Sequence, residues 1–146
     1  MIGGIVFVIL FLIGIEPFIV LSGSMSPTIE TGSLSFINKH YNYNKVKNND
    51  VIAYTALTGN KVTHRVINIT EQGFETKGDK NEVSDGISVN ESNYIGKNVF
   101  SIPKLGYFVR LMQTPRGKII VVTLAIAIVL SGFLVDDKER KRVRQA

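Results

Sequence analysis

Cysteine is absent from this 146-residue chain. Thiol nucleophiles, cysteine-based metal or redox sites and disulfides are therefore excluded. Histidine is scarce as well, because the chain has only His40 and His64. The two lie in different contexts and lack the spacing of a metal site. We therefore expect no metal ion and no other cofactor.

Charge is almost absent from two long stretches. Residues 1–15 contain only apolar residues and glycine, Glu16 and Pro17 interrupt the run, and Phe18–Leu21 resumes it. A helix needs roughly 20 residues to cross the hydrocarbon of a bilayer. Residues 1–21 therefore predict an N-terminal transmembrane anchor. A cleavable signal peptide is the alternative, but the run has no basic start and is long for one.

The second uncharged stretch is Ile119–Val135, with 17 apolar or small residues. It predicts a second transmembrane helix over residues 118–135, with a buried soluble helix as the alternative. The following segment, 136–146, has five Lys or Arg among its last nine residues. Basic flanks favour the cytoplasmic side. We therefore expect a multi-pass cell-membrane protein with both termini cytoplasmic. The last nine residues alone carry a net charge of +4, against +5 for the whole chain, which favours a lipid surface over a nucleic acid as partner.

Between the two stretches, residues 22–104 show strand patterns with no amphipathic helices between them. The pattern predicts a mainly β domain, an antiparallel sheet or small barrel, on the extracytoplasmic side. The candidate strands are Ser33–Ile37, Val51–Tyr54, Lys61–Ile69, Phe74–Thr76 and Tyr94–Ile102.

The segment 105–117 differs from the strands before it. Leu105, Phe108, Leu111 and Met112 share one helical face. The pattern predicts either an interfacial helix that seats the domain on the bilayer, followed by a linker, or a short helix that caps the core.

One serine follows the first apolar run directly: Ser24, within residues 22–27. A serine hydroxyl needs a base within hydrogen-bond reach, and histidine suits that role near neutral pH. His40 lies in a polar loop, where we expect it to be solvated. His64 lies on the Lys61–Ile69 strand. Histidines on apolar faces are more often structural, so both roles stay open for His64 on pattern alone.

A carboxylate that orients the imidazole completes such an arrangement. Asp79 and Asp85 lie in a polar segment over residues 77–86, which can also be an ordinary solvated turn. A serine at a membrane exit with a single suitable base indicates a membrane-anchored serine hydrolase.

Four motifs in order resemble the type I signal peptidases of the Ser–His branch, which occurs in archaea, the endoplasmic reticulum and some Gram-positive bacteria. The resemblance covers roughly residues 18–106, and Asn49 stands where that family usually has glycine. The motifs are Ser24-Met25-Ser26-Pro27, Asp50-Val51-Ile52, His64-Arg65-Val66, and Gly78-Asp79-Lys80-Asn81 with Asp85.

The resemblance implies a membrane-bound serine endopeptidase that removes signal peptides from exported preproteins after a small-x-small site. Ser24 would be the nucleophile and His64 the general base. Asp85 would orient the imidazole, and Asp79 would support the site. The oxyanion would be held by the Ser24 backbone N–H, with Ser22 supplying a hydroxyl.

The substrate peptide would pair with a sheet edge as an added strand. Met25, Val51 and Ile52 are the expected substrate-binding residues. The expected partners are preproteins, the lipid bilayer and secretion machinery.

Two other functions stay open. One is a non-catalytic, membrane-anchored binding or accessory subunit of a secretion complex. The other keeps the fold but uses a Ser–Lys dyad, with Lys61 or Lys77 as the base.

Overall fold

The computed structural model describes residues 13–127. One antiparallel sheet dominates it, which confirms the mainly β prediction. Its strands are β1 (Ile15–Ile19), β2 (Leu34–Asn38), β3 (Val51–Thr55), β4 (Lys61–Thr70), β5 (Gly73–Lys77), β6 (Ser88–Val89) and β7 (Tyr94–Ile102). Their spatial order is β1-β2-β7-β3-β4-β5-β6. A 3-10 turn, Tyr43–Lys45, precedes β3.

Five strands, β2 to β5 and β7, lie where the sequence analysis places its candidate strands. Along β4, His64 and Val66 are buried while Ile67 is exposed. This alternation arises because successive side chains of a strand point to opposite faces of the sheet. The short strand β6 had no predicted counterpart.

The first strand differs from the prediction. Ile15–Ile19 pairs with β2 at the edge of the sheet, so the expectation of helix through residue 21 is wrong for these five residues. An edge strand tolerates Pro17, which has no N–H to donate, and Glu16 makes an ion pair with Lys39. The remainder of the predicted anchor, residues 1–12, lies outside the described residues.

The described chain divides into two units between Tyr107 and Phe108, within helix α1 (Leu105–Gln113). The helix confirms the periodicity of that segment, while its interfacial role stays a prediction. Residues 115–127 are also helical. Within residues 13–127, no helix combines the length and the apolar character needed to cross a bilayer. Residues 128–135 of the predicted second span and the tail 136–146 lie outside this range.

The core of the sheet lies on the face that carries His64. Its fully buried side chains come from β3 to β6 and the loop before β3: Val46, Ile52, Tyr54, Val66, Phe74 and Val89. Met25 and Ile29, in the loop between β1 and β2, are also buried. Burial of these two side chains fixes the loop that carries Ser24 against the sheet.

Candidate active site

The backbone around Ser24 is held by the segment that follows β5. The Lys80 N–H donates a 2.8 Å hydrogen bond to the Ser24 carbonyl oxygen. Gly78 lies beside the same oxygen, and a Cβ at this position would lie only 2.6 Å from it. The glycine of this motif is therefore required for the close approach of the two segments. Two motifs far apart in the chain thus meet through their backbones.

His64 faces Ser24 from the middle of β4. Its Nε2 atom lies 2.9 Å from the Ser24 Oγ atom. Its strand neighbour across β3 is Ile52, and the residue is only 8% exposed. Because the ring is packed on a buried sheet face, its direction is fixed before any substrate binds.

The carboxylate of Asp85 lies on the other side of the imidazole. Its Oδ2 atom lies 2.7 Å from His64 Nδ1 and accepts hydrogen bonds from Thr76 Oγ1 at 2.6 Å and Tyr54 OH at 2.9 Å. Burial acts to raise the pKa of Asp85, but the hydrogen bonds from His64 and Thr76 outweigh it and hold the pKa below its ordinary value. An ionised Asp85 accepts from Nδ1–H, which leaves the lone pair on Nε2 to accept the Ser24 proton.

Asp79 has a different partner. Its two oxygens accept from Arg65, with Nε to Oδ1 at 2.8 Å and Nη2 to Oδ2 at 2.7 Å. The Arg65 hydrogen bonds hold the pKa of Asp79 below its ordinary value. Arg65 Nη1 also donates to the Asn49 carbonyl oxygen at 2.7 Å. Asp79 therefore braces the site through the residue next to His64.

Asn49, which stands where glycine is usual in the resembling family, has a φ of 72°. This left-handed region is most favourable for glycine, and asparagine is among the few other residues that adopt it readily. The backbone requirement at this position is thus met by the residue present.

Ser24 and His64 open into a cleft of about 850 Å³ between β1 and the first half of β4. Met25 lines this cleft as expected. Val51 and Ile52 do not line the cleft. Strand β3 pairs with β4 on the side away from the cleft, and Ile52 is fully buried in the core. The Ser22 hydroxyl oxygen, also at the cleft, lies 3.2 Å from Ser24 Oγ. The other lining residues are Glu16, Pro17, Phe18, Ile19, Val20, Leu21, Ile29, Asn60, Lys61, Val62 and Thr63.

The profile of a known protein family, described as "Signal peptidase, peptidase S26", matches residues 1–99. The chain belongs to the signal peptidase family. A curated relative, Signal peptidase I W of Bacillus subtilis (strain 168), is 40% identical over 78 residues. That match covers 51% of this chain and 41% of the relative, so the chain spans less than half the length of that protein.

In this member of the signal peptidase family, the site contains two further residues that the sequence did not predict. Tyr54 and Thr76 are fully buried, and both donate to Asp85. No local pattern indicates these two hydrogen bonds. Tyr54 lies on β3 and Thr76 on β5, and the loop residue Asp85 contacts them only in the folded protein. A polar residue at a core position of each strand is the one available signal.

Neither of the two lysines considered as alternative bases contacts the nucleophile. Lys61 is at the cleft, but its Nζ atom lies 3.8 Å from Glu16 Oε1 and 4.5 Å from the centre of the Phe18 ring. Within residues 13–127, neither Lys61 nor Lys77 makes a hydrogen bond to Ser24. His40 is exposed in its loop, as expected.

Proposed function

We propose that this protein is a membrane-bound serine endopeptidase that removes signal peptides from exported preproteins. The observation that carries the proposal is an unbroken hydrogen-bond chain from Ser24 through His64 to Asp85, open to a cleft at the serine end. A binding or accessory subunit would not need this chain of donors and acceptors.

In the proposed reaction, Ser24 Oγ attacks the scissile carbonyl carbon while His64 Nε2 takes the hydroxyl proton. The ionised Asp85 stabilises the imidazolium through Nδ1–H. His64 then gives the proton to the leaving amine, and the C–N bond breaks to leave an acyl-Ser24 ester. A water molecule, deprotonated by the same imidazole, hydrolyses this ester and releases the signal peptide.

Two donors are suitable for the negative oxygen of the tetrahedral intermediate. The Ser24 backbone N–H has no acceptor within residues 13–127, and the Ser22 hydroxyl lies beside the nucleophile. Donors that are fixed before the reaction stabilise charge at little reorganisation cost. We assign the oxyanion site to these two groups.

The cleft lies between two strand edges that have no backbone partner on that side within residues 13–127. Within residues 13–127, β1 pairs with β2 alone and β5 pairs with β4 only from Arg65 onward, so residues 61–64 have one free edge in this part of the chain. An extended peptide between these two edges would gain backbone hydrogen bonds on both sides. Val20, Met25 and Ile29 supply apolar surface near Ser24, which suits the small side chains of a small-x-small site.

We further propose that the catalytic domain is extracytoplasmic, between two membrane spans, with both termini in the cytoplasm. The uncharged runs and the basic tail support this arrangement. Only residues 1–14 of the first run precede strand β1, so Ser24 would follow the first span through β1 and a short loop, which keeps its hydroxyl close to the bilayer surface, where a signal helix leaves the membrane. Protease digestion of intact and inverted vesicles tests the orientation.

The decisive experiment measures cleavage of a test preprotein by the detergent-solubilised full chain. Ser24→Ala is expected to lower the rate by about 10⁴-fold or more, because the nucleophile is removed. Ser26→Ala, a serine of the same motif, is the matched control and should stay within about threefold of the wild type. Equal cleavage by Ser24→Ala would overturn the proposal. Binding of the preprotein without cleavage by the wild type would favour the accessory-subunit alternative.

A further inference from the structure

One side chain crosses the gap between the two free strand edges. Lys61, at the start of β4, reaches β1 on the opposite side, where its Nζ atom contacts the Glu16 carboxylate and the face of the Phe18 ring. All three residues line the cleft. A peptide lying along the gap must therefore pass the Lys61 ammonium group.

The charge at this end of the cleft is not balanced. The Glu16 carboxylate is shared by two ammonium groups, Lys39 at 3.0 Å and Lys61 at 3.8 Å. Lys39 has the shorter contact and does not line the cleft. The Lys61 side chain is 56% exposed and has the longer contact. Exposed ion pairs contribute little free energy, so Lys61 can leave Glu16 for another carboxylate at little cost.

We propose that Lys61 forms a subsite for an acidic side chain of the substrate, upstream of the scissile bond. The inference rests on the proposed function and adds a substrate preference to it. The ammonium would exchange Glu16 for the substrate carboxylate, while Lys39 keeps Glu16 neutralised. A basic side chain at the same position would meet uncompensated positive charge.

The position along the peptide follows from strand geometry. Lys61 precedes His64 by three residues on β4. At the usual rise of a strand, the backbones of these two residues are about 10 Å apart. Val62, one of the apolar lining residues, lies between Lys61 and His64 on β4, and the small side chains of the substrate precede the scissile bond. Because the third position before the scissile bond belongs to the small-x-small site, the acidic residue is expected at about the fourth or fifth position.

A peptide series tests this subsite. Peptides with one small-x-small site carry Glu, Gln or Lys at the fourth or the fifth position before the bond, and kcat/KM is measured for each. The wild type is expected to prefer Glu over Lys by about three- to tenfold at one of these positions. Lys61→Gln should bring the ratio close to one, and Lys61→Glu should reverse it.

Two comparisons exclude indirect effects. Lys77→Gln, which removes a lysine outside the cleft, should leave the ratio unchanged. Raising the salt concentration from about 50 to 500 mM should reduce the preference in the wild type but not in Lys61→Gln, because partly exposed charges are screened.

The subsite is also measured without cleavage. The Ser24→Ala full chain binds each peptide, and fluorescence anisotropy gives the ratio of the dissociation constants for Glu and Lys peptides. A preference in binding that disappears with Lys61→Gln supports the subsite even if the wild type cleaves nothing, a result that would contradict only the proposed function. A Glu-to-Lys ratio of one in the wild type, or a ratio that Lys61→Gln leaves unchanged, overturns the subsite.

Discussion

Two aspartates of one segment, Asp79 and Asp85, end on opposite faces of the same strand. Asp85 contacts His64 and two hydroxyl groups, whereas Asp79 contacts the Arg65 guanidinium. Neighbouring residues of β4 point to opposite faces of the sheet, so Asp85 contacts His64 on one face and Asp79 contacts Arg65 on the other. One aspartate faces a group that changes its charge in the proposed reaction, and the other faces a permanent cation.

This difference separates two tasks that a short polar segment performs. The ion pair with Arg65 fixes the segment 78–80 beside Ser24, where the Lys80 N–H holds the serine carbonyl. With the segment fixed, the Asp85 N–H donates to the Thr76 carbonyl oxygen at 2.9 Å and its carboxylate meets the imidazole. In the proposed reaction, Asp79 would therefore support the structure of the site, and Asp85 would stabilise the imidazolium that holds the transferred proton.

The largest effect is expected for Asp85→Asn. The carboxamide can replace the shape of the carboxylate but not its charge, so the imidazolium formed during attack loses its counter-charge. We expect kcat/KM for preprotein cleavage, measured below the unfolding midpoint of the variant, to fall by about 10³-fold or more. Asp79→Asn is the paired comparison. Measured below its own unfolding midpoint, it should lose less than about tenfold. Similar losses for the two variants would remove the distinction between them.

The second effect concerns stability. Arg65 and Asp79 share two short charge-assisted hydrogen bonds in a partly buried setting. Asp79→Asn weakens both, and we expect it to lower the free energy of unfolding by about 1–3 kcal/mol in urea titrations. Arg65→Gln should cost a similar amount. If the pair is the cause, the double variant costs clearly less than the sum of the single variants.

The same pair predicts a pH dependence of stability. The folded-state pKa of Asp79 lies below its ordinary value of 3.8. The stability that it contributes is therefore fully present above that ordinary value and is lost as the pH falls through the lower folded-state value. The stability difference between the wild type and Asp79→Asn should be constant from about pH 5 to 8 and should shrink below about pH 3.8. A difference that grows on acidification would contradict the ion-pair interpretation.

Strands β2 and β4 were predictable because half-buried strands alternate apolar and polar residues, and β3 because it is a short apolar run. The same reasoning failed at β1. Ile15–Ile19 lies within a long apolar run with no alternation, and only its backbone pairing with β2 distinguishes it from a membrane helix. Glu16 was the available sign, since ionisable residues are rare in the interior of a membrane span.

The candidate site was predictable only through the resemblance of its motifs. From pattern alone, His64 was a residue on an apolar strand face and Asp85 a residue in a polar turn. Their 2.7 Å contact arises because the Asp85 N–H docks on Thr76 of β5, beside β4. Such a contact depends on strand order, which the sequence does not display locally. Val51 and Ile52 do not line the cleft for the same reason, because β3 pairs with β4 on the side away from the free edge of residues 61–64.

The smallest effect sharpens the comparison at Asp85 itself. Tyr54→Phe removes one of three donors to a single carboxylate oxygen, and the Thr76 and His64 donors remain. We expect kcat/KM to fall by about three- to tenfold, since one hydrogen bond to a charged group is lost. Thr76→Val should act in the same direction, and Thr76→Ser should restore most of the activity.

Burial raises the pKa of the Tyr54 hydroxyl, so this donor keeps its proton throughout an ordinary assay range. The ratio of wild-type to Tyr54→Phe activity should therefore be constant from about pH 7.5 to 10. Because Tyr54 is buried in the core, loss of its hydroxyl could also act through stability, which the thermal midpoint measures separately. A ratio that falls towards one within this pH range would mean that Tyr54 ionises there and does not serve as a permanent donor to Asp85.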